Sequence, residues 1–202
     1  MNIFLSIIDC LKIFFQALRF GVLNILAENS NSNLIRALRF LNPFFISNYK
    51  VPPGLRIKNF LESLGPMFIK FGQLLSTRTD VVPLEITSYL RGLTDQCQSF
   101  PTQTAKEIIE DSLQIKIEDV FEDFEDEPLA AASLAQVHRA RIKNTSEKVV
   151  VKVLRPGIHK KVMRNVRVMR AGGFLLEMFY KESERLKLKD VINDYEKTIF
   201  KE

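Results

Sequence analysis

The chain has 202 residues, 46% of them apolar and 26% charged, with a formal net charge of +5. That balance excludes a disordered tail and supplies enough apolar surface for one or two small domains. Its two cysteines, Cys10 and Cys97, lie far apart with no His or Cys at ligand spacing. This excludes a zinc framework and a disulfide scaffold and fits a reducing, cytoplasmic setting.

The charge is uneven. Residues 1–60 hold seven Lys or Arg against two acids, Asp9 and Glu28, while the remaining 22 basic and 22 acidic residues cancel. The basic residues of this front alternate with Phe, Leu and Ile, which favours an anionic lipid surface as partner and argues against nucleic acid. Asp9, Lys12 and Arg19 interrupt the apolar start, so no run reaches the roughly 20 residues of a bilayer span. A secretory signal would place its charges first and end in small residues, and neither feature is read. The expected location is cytoplasmic, peripheral to the inner membrane.

Ile3, Phe4, Ile7, Ile8, Leu11, Phe14, Phe15 and Leu18 recur at helical spacing, which predicts one amphipathic helix over 2–27. A polar break at 29–33 and a short basic helix over 34–40 follow. Pro43, Pro52, Pro53 and Gly54 then punctuate a linker and set a boundary near residue 50. A helix runs from Leu55 to Leu64, where Gly65 ends it and Pro66 opens the next. In that next helix Met67, Phe68, Phe71, Leu74 and Leu75 are expected to share the apolar face, with Lys70 and Gln73 projecting together from the other side. Further helices are expected at 83–93 and 102–113, then an acidic stretch from Glu118 to Glu127.

At Pro128 the period becomes strand-like: small residues over 129–133, a strand over 136–143, a turn at 144–147 and a β-branched strand over 148–154. Two strands are the beginning of a sheet, too little to stand alone. From Pro156 the pattern is helical again, with a weak point expected at Gly172-Gly173. This gives three segments: 1–50, amphipathic basic helices suited to a membrane surface; 51–127, a helical extension; and 128–202, where the strands lie. The class is α+β and mainly helical.

Lys152 sits inside the apolar strand Val149–Leu154, and a lysine there either reaches an anion or faces water at a sheet edge. Both readings stay open on the strand alone. About twenty residues upstream lies Ala130-Ala131-Ala132-Ser133, small residues where a protein kinase carries the Gly-rich loop that covers the phosphates. Alanine restricts the backbone more than glycine, so such a loop is stiffer. His138 and His159 show no partner pattern and are expected at the surface, as is the basic row Lys160, Lys161, Arg164, Arg167 and Arg170.

Residues 64–80, with Lys70, Gly72 and Gln73, resemble the KxGQ signature of the UbiB family of atypical protein-kinase-like proteins. Residues 128–138 resemble its Ala-rich loop, and residues 150–157 its third strand with the nucleotide lysine, Lys152. The resemblance covers about residues 60–160. It implies an incomplete protein-kinase-like N-lobe preceded by a helical KxGQ extension, a link to ubiquinone biosynthesis, and ATP with magnesium as cofactor. It further implies that Lys70, Gln73, Ala130, Ala131, Ala132, Ser133 and Lys152 face the nucleotide, and that the KxGQ helices block a protein substrate.

Glu202 falls where the first glutamate of the family's acidic ExD-type motif belongs. The helix-C glutamate, the catalytic-loop Asp and Asn and the metal-binding Asp would all follow it, as would the membrane helices of bacterial members. Phosphoryl transfer needs lysine and metal together. The expectation is a split or frameshifted product, inactive alone, whose partners are a complementary C-lobe polypeptide or ubiquinone-biosynthesis proteins. The alternative is a non-catalytic, membrane-peripheral binding module.

Overall fold

The structure, a computed structural model, describes residues 3–28, 42, 44, 50–80, 82–94, 97–179 and 187–201. The expected polar break at 29–33, the basic helix over 34–40 and Glu202 lie outside the described residues. In chain order the elements are α1 (Ile3–Arg19), α2 (Val22–Glu28), α3 (Pro53–Leu64), α4 (Pro66–Thr77), α5 (Leu84–Leu90), α6 (Thr102–Leu113) and α7 (Ile117–Val120). Then come β1 (Phe121–Phe124), β2 (Ala130–Ala131), β3 (Ala135–Ile142), β4 (Lys148–Leu154), α8 (Ile158–Phe179) and α9 (Leu188–Lys201). They form two compact units, one of Met1–Thr94 with Val162–Glu202, the other of Asp95–Lys161.

In the first unit, the single helix expected over 2–27 is two helices. Gly21 takes φ +67° between α1 and α2, a left-handed conformation that glycine adopts at little cost. Its N–H closes on the Leu18 carbonyl, and its own carbonyl receives the buried guanidinium of Arg56 at 3.4 Å. One glycine inside a helical pattern reads as tolerated. Here it ends the helix.

The boundary between α3 and α4 follows the sequence: Gly65 has φ +93° and Pro66 opens α4. The buried line of α4, however, is Met67, Phe68, Gly72 and Ser76, with Phe71, Leu74 and Leu75 only half-buried. Gly72 shifts the contact line because it lets two neighbours close in. A Cβ at Gly72 would lie 2.4 Å from Leu93 Cδ1 and 2.7 Å from Leu61 Cδ1. From α9, Tyr195 donates its hydroxyl to the Met67 carbonyl at 2.7 Å and sets its ring edge-on to Phe71, with centroids 5.4 Å apart. Such a buried bond contributes about 1 kcal/mol.

The expected helix weakness at Gly172-Gly173 is absent, and α8 continues through both residues. A Cβ on Gly173 would come within 3.1 Å of Ile192 Cδ1, so close packing against α9 outweighs the propensity cost. Two residues of the basic row also hold helices together, Arg164 pairing with Asp9 of α1 and Arg170 with Glu196 of α9. Among the described residues no helix is long and apolar enough to cross a membrane.

The second unit is an antiparallel sheet backed by α6. β3 pairs with β4 from Ala135↔Leu154 to Arg141↔Lys148. β1 pairs with β3 at Phe121↔Ile142 and Phe124↔Ala140, and β2 at Ala130↔Val137 and Ala131↔Gln136. With β4 occupying one edge of β3, β1 and β2 share the other, end to end. β1 was hidden in the acidic stretch, because its exposed Glu122 and Asp123 mask the half-buried Phe121 and Phe124.

Strand alternation gives the sheet two unlike faces. Gln136, His138 and Ala140 share one face with Val149, Val151 and Val153. There Val153 packs with Ala105 and Ile109 of α6 and with Ile117, flanked by Phe100, Ile108, Phe121, Phe124 and Val151. The opposite face carries Ala135, Val137, Arg139 and Arg141 of β3 with Leu154, Lys152, Val150 and Lys148 of β4, and of these Ala135 is buried.

Candidate functional site

Lys152 is exposed in the middle of β4. Its register partner across the sheet is Val137, and the partner of Val137 on the far side is Ala130. Directly opposed residues point to the same face, so Ala130, Val137 and Lys152 form one row across the uncovered side. Val150, 64% exposed, and Leu154, 38% exposed, flank the lysine along its strand. Arg139 lies opposite Val150 on the same face and pairs with Glu125, so the strip joins apolar side chains to basic ones, which suits a ligand with a flat apolar part and an anionic part.

The rest of the Ala-rich segment divides. Ala131 lies opposite Gln136 and so faces the covered side. Ala132 is exposed, and its N–H closes a turn on the Ala135 carbonyl at 2.8 Å. Ser133 is buried. Lys70 and Gln73 belong to the first unit, both half-buried on α4, and Gln73 donates through Nε2 to the Leu93 carbonyl at 3.1 Å. Gln73 therefore ties α4 to the chain following α5.

His138 corrects a surface expectation, for it is fully buried. Its Nδ1 lies 2.8 Å from the Glu125 carbonyl, its Nε2 lies 2.9 Å from Gln136 Nε2, and its ring stacks on Phe124 with centroids 4.8 Å apart. Gln136 Oε1 accepts from the Phe100 N–H at 3.0 Å, which turns the amide NH2 toward the histidine. The imidazole must then accept at Nε2 and donate from Nδ1. The signal for this burial was strand parity. With Lys152 on the open face, its neighbours Val151 and Val153 face inward, and their partners His138 and Gln136 go with them. His159 is exposed, as expected.

Two carboxylates brace the covered side. Glu110 is held below the usual carboxylate range by the Ile117 backbone N–H at 3.0 Å and then by Lys116. Asp126 is held low by Lys106 at 2.8 Å. A carboxylate with a depressed folded pKa contributes stability above its unfolded pKa and loses it as pH falls. This unit is therefore expected to weaken as pH drops from about 5 to about 2, and Glu110→Gln to flatten the decline, with denaturant midpoints at each pH as the measurement.

A nucleotide is compatible with this face: Lys152 would be the group for phosphate oxygens, and Val137, Val150 and Leu154 would offer apolar surface to a base. Among the described residues no group of three or more His, Cys, Asp or Glu is placed to hold a metal ion.

A lysine-bearing strand, β4, paired with the strand that follows a small-residue loop, on a sheet backed by one helix, fits a protein-kinase-like N-lobe. The chain belongs to the ABC1 atypical kinase-like family, whose domain matches residues 92–202. It is 44% identical over 153 residues to a probable protein kinase UbiB of Marinobacter nauticus, a match covering 76% of this chain and 28% of that protein. Its likeness to the probable protein kinase UbiB of Azotobacter vinelandii is 42% over 171 residues, covering 83% and 32%. The corresponding protein of Aeromonas hydrophila is 45% identical over 149 residues, covering 74% and 27%. The chain thus spans about 30% of the length of these relatives.

Proposed function

We propose that this chain supplies the nucleotide-facing sheet and the KxGQ helices of a UbiB-type atypical kinase or ATPase acting in ubiquinone biosynthesis. The observation that carries the reading is the row Ala130–Val137–Lys152 on the uncovered face of a sheet whose other face is sealed by α6. Lys152 neutralises phosphate charge there, and the Ala-rich turn limits how the phosphates lie. ATP with magnesium is the cofactor of the whole assembly. The catalytic base and metal-holding carboxylates that phosphoryl transfer needs belong to a C-lobe, so residues 1–202 by themselves do not turn over ATP. A coupled phosphate-release assay on the purified chain tests this, and magnesium-dependent turnover abolished by Lys152→Ala would overturn it.

A second reading, a membrane-peripheral module of a ubiquinone-biosynthesis assembly, is favoured by one surface. Ile8, Leu11, Phe14 and Phe15 of α1 are all exposed, with Lys12 and Arg19 exposed on the same helix. An apolar helix face with basic residues beside it suits an anionic bilayer surface. Cosedimentation with phosphatidylglycerol vesicles should then exceed that with phosphatidylcholine vesicles and fall with salt. Equal, salt-insensitive partitioning would point to hydrophobic association without charge selection.

A further inference from the structure

Arg155 follows β4 directly, and its backbone N–H extends the β3–β4 ladder to the Leu134 carbonyl at 2.8 Å. Its side chain joins two other segments. Nε donates to the Ala132 carbonyl at 3.0 Å, Nη2 donates to the Gln98 carbonyl at 2.7 Å, and the guanidinium carbon sits 5.7 Å from the centroid of the Phe100 ring. Both acceptors are neutral backbone carbonyls. Phe100 is itself fixed, since its N–H donates to the buried Gln136. The turn 132–135 is thus tied to the strand end and to the segment leading into α6 by one planar group.

We propose that Arg155 is the positioning residue of the Ala-rich loop, holding its turn in register with the Lys152 row so that the loop meets a nucleotide's phosphates in one fixed shape. The proposal rests on the nucleotide reading above for its purpose, though not for the clamp itself. A fork of this kind needs the rigid spacing of a guanidinium. Lysine keeps the charge but has a single nitrogen and cannot reproduce the two directed bonds. The loop carries no glycine between Leu129 and Val137. Its shape is therefore restrained both by alanine backbones and by this side chain.

The test is hydrogen exchange on the ligand-free full chain, read at the amides of residues 130–134. Arg155→Gln and Arg155→Lys should each speed exchange there about tenfold, while the helices of the first unit are unchanged. Phe100→Leu, which removes only the ring, should act in the same direction and less. The Arg155 Nε–H, bonded to the Ala132 carbonyl, is expected to give a resolved resonance in the wild-type chain and to broaden or shift in Phe100→Leu. Unchanged loop exchange in Arg155→Gln, or wild-type behaviour in Arg155→Lys, would overturn the clamp. Titration of the same proteins with ADP separates the two ideas: a wild-type chain that ignores ADP but shows the exchange pattern counts against the nucleotide reading and upholds the clamp.

Discussion

Gly72→Val is expected to destabilise the helical unit by about 3 kcal/mol, and Gly72→Ala by about 1 kcal/mol. The alanine figure is a difference of two terms. Alanine gains about 1 kcal/mol over glycine in a helix interior, but its Cβ would meet Leu93 Cδ1 at 2.4 Å and Leu61 Cδ1 at 2.7 Å. Both leucines are buried, 4% and 5% exposed, and two methyl groups converge on the one position. A single rotamer change therefore cannot clear the site, and overpacking outweighs propensity. Truncating a contact, as in Gly72→Ala with Leu93→Ala, should cost less than the sum of the single changes. Denaturant unfolding decides the matter by sign, since a stabilised Gly72→Ala would mean that the helix contact is loose. Gly72, in the segment that resembles a KxGQ signature, is on this view a packing residue, next to a Gln73 that also has a structural bond.

His138→Phe should cost the sheet unit about 2–4 kcal/mol, although phenylalanine preserves the stack on Phe124. The change leaves the Gln136 NH2 and the Glu125 carbonyl without their histidine partner inside a unit of small size. Buried polar groups stripped of a partner carry their full desolvation cost, and a drop in melting temperature of roughly 10 °C or more follows for so small a unit. Gln136→Leu should be comparably damaging, because it strands the Phe100 N–H and removes the donor to His138 Nε2. A melting temperature within error of wild type for both would mean that this network is dispensable. Circular dichroism in the strand region provides the measurement.

The legible parts of the fold were those set by local chemistry. β4 is bounded at the expected residues because a β-branched run between turn residues has few alternatives, and the α3–α4 corner follows from Gly65-Pro66. β1 was not legible, since Phe-Glu-Asp-Phe becomes a strand only by pairing with Ala140, Arg141 and Ile142. The break at Gly21 and the continuity of α8 through Gly172-Gly173 went opposite ways for the same residue type. What decided each was a tertiary contact, Arg56 on the Gly21 carbonyl in one case and Ile192 against Gly173 in the other. At the candidate site Lys152 and the Ala-rich loop stood out as residue types in a pattern. The split of Ala130 to the open face and Ala131 to the covered one required the register, as did the burial of His138. The Arg155 fork depends on Gln98, distant in sequence, and no spacing rule announces it.

A nucleotide is expected to meet the face of the sheet that carries Lys152, and no other surface of that unit. Amide and methyl chemical-shift mapping of the chain with ADP is the decisive measurement. The predicted result is saturable perturbation centred on Ala130, Val137, Val150, Lys152 and Leu154, abolished by Lys152→Ala and absent from Val153, Ile109 and Ala105 on the covered side. Perturbations clustered away from that row, or a pattern that survives Lys152→Ala unchanged, would contradict it.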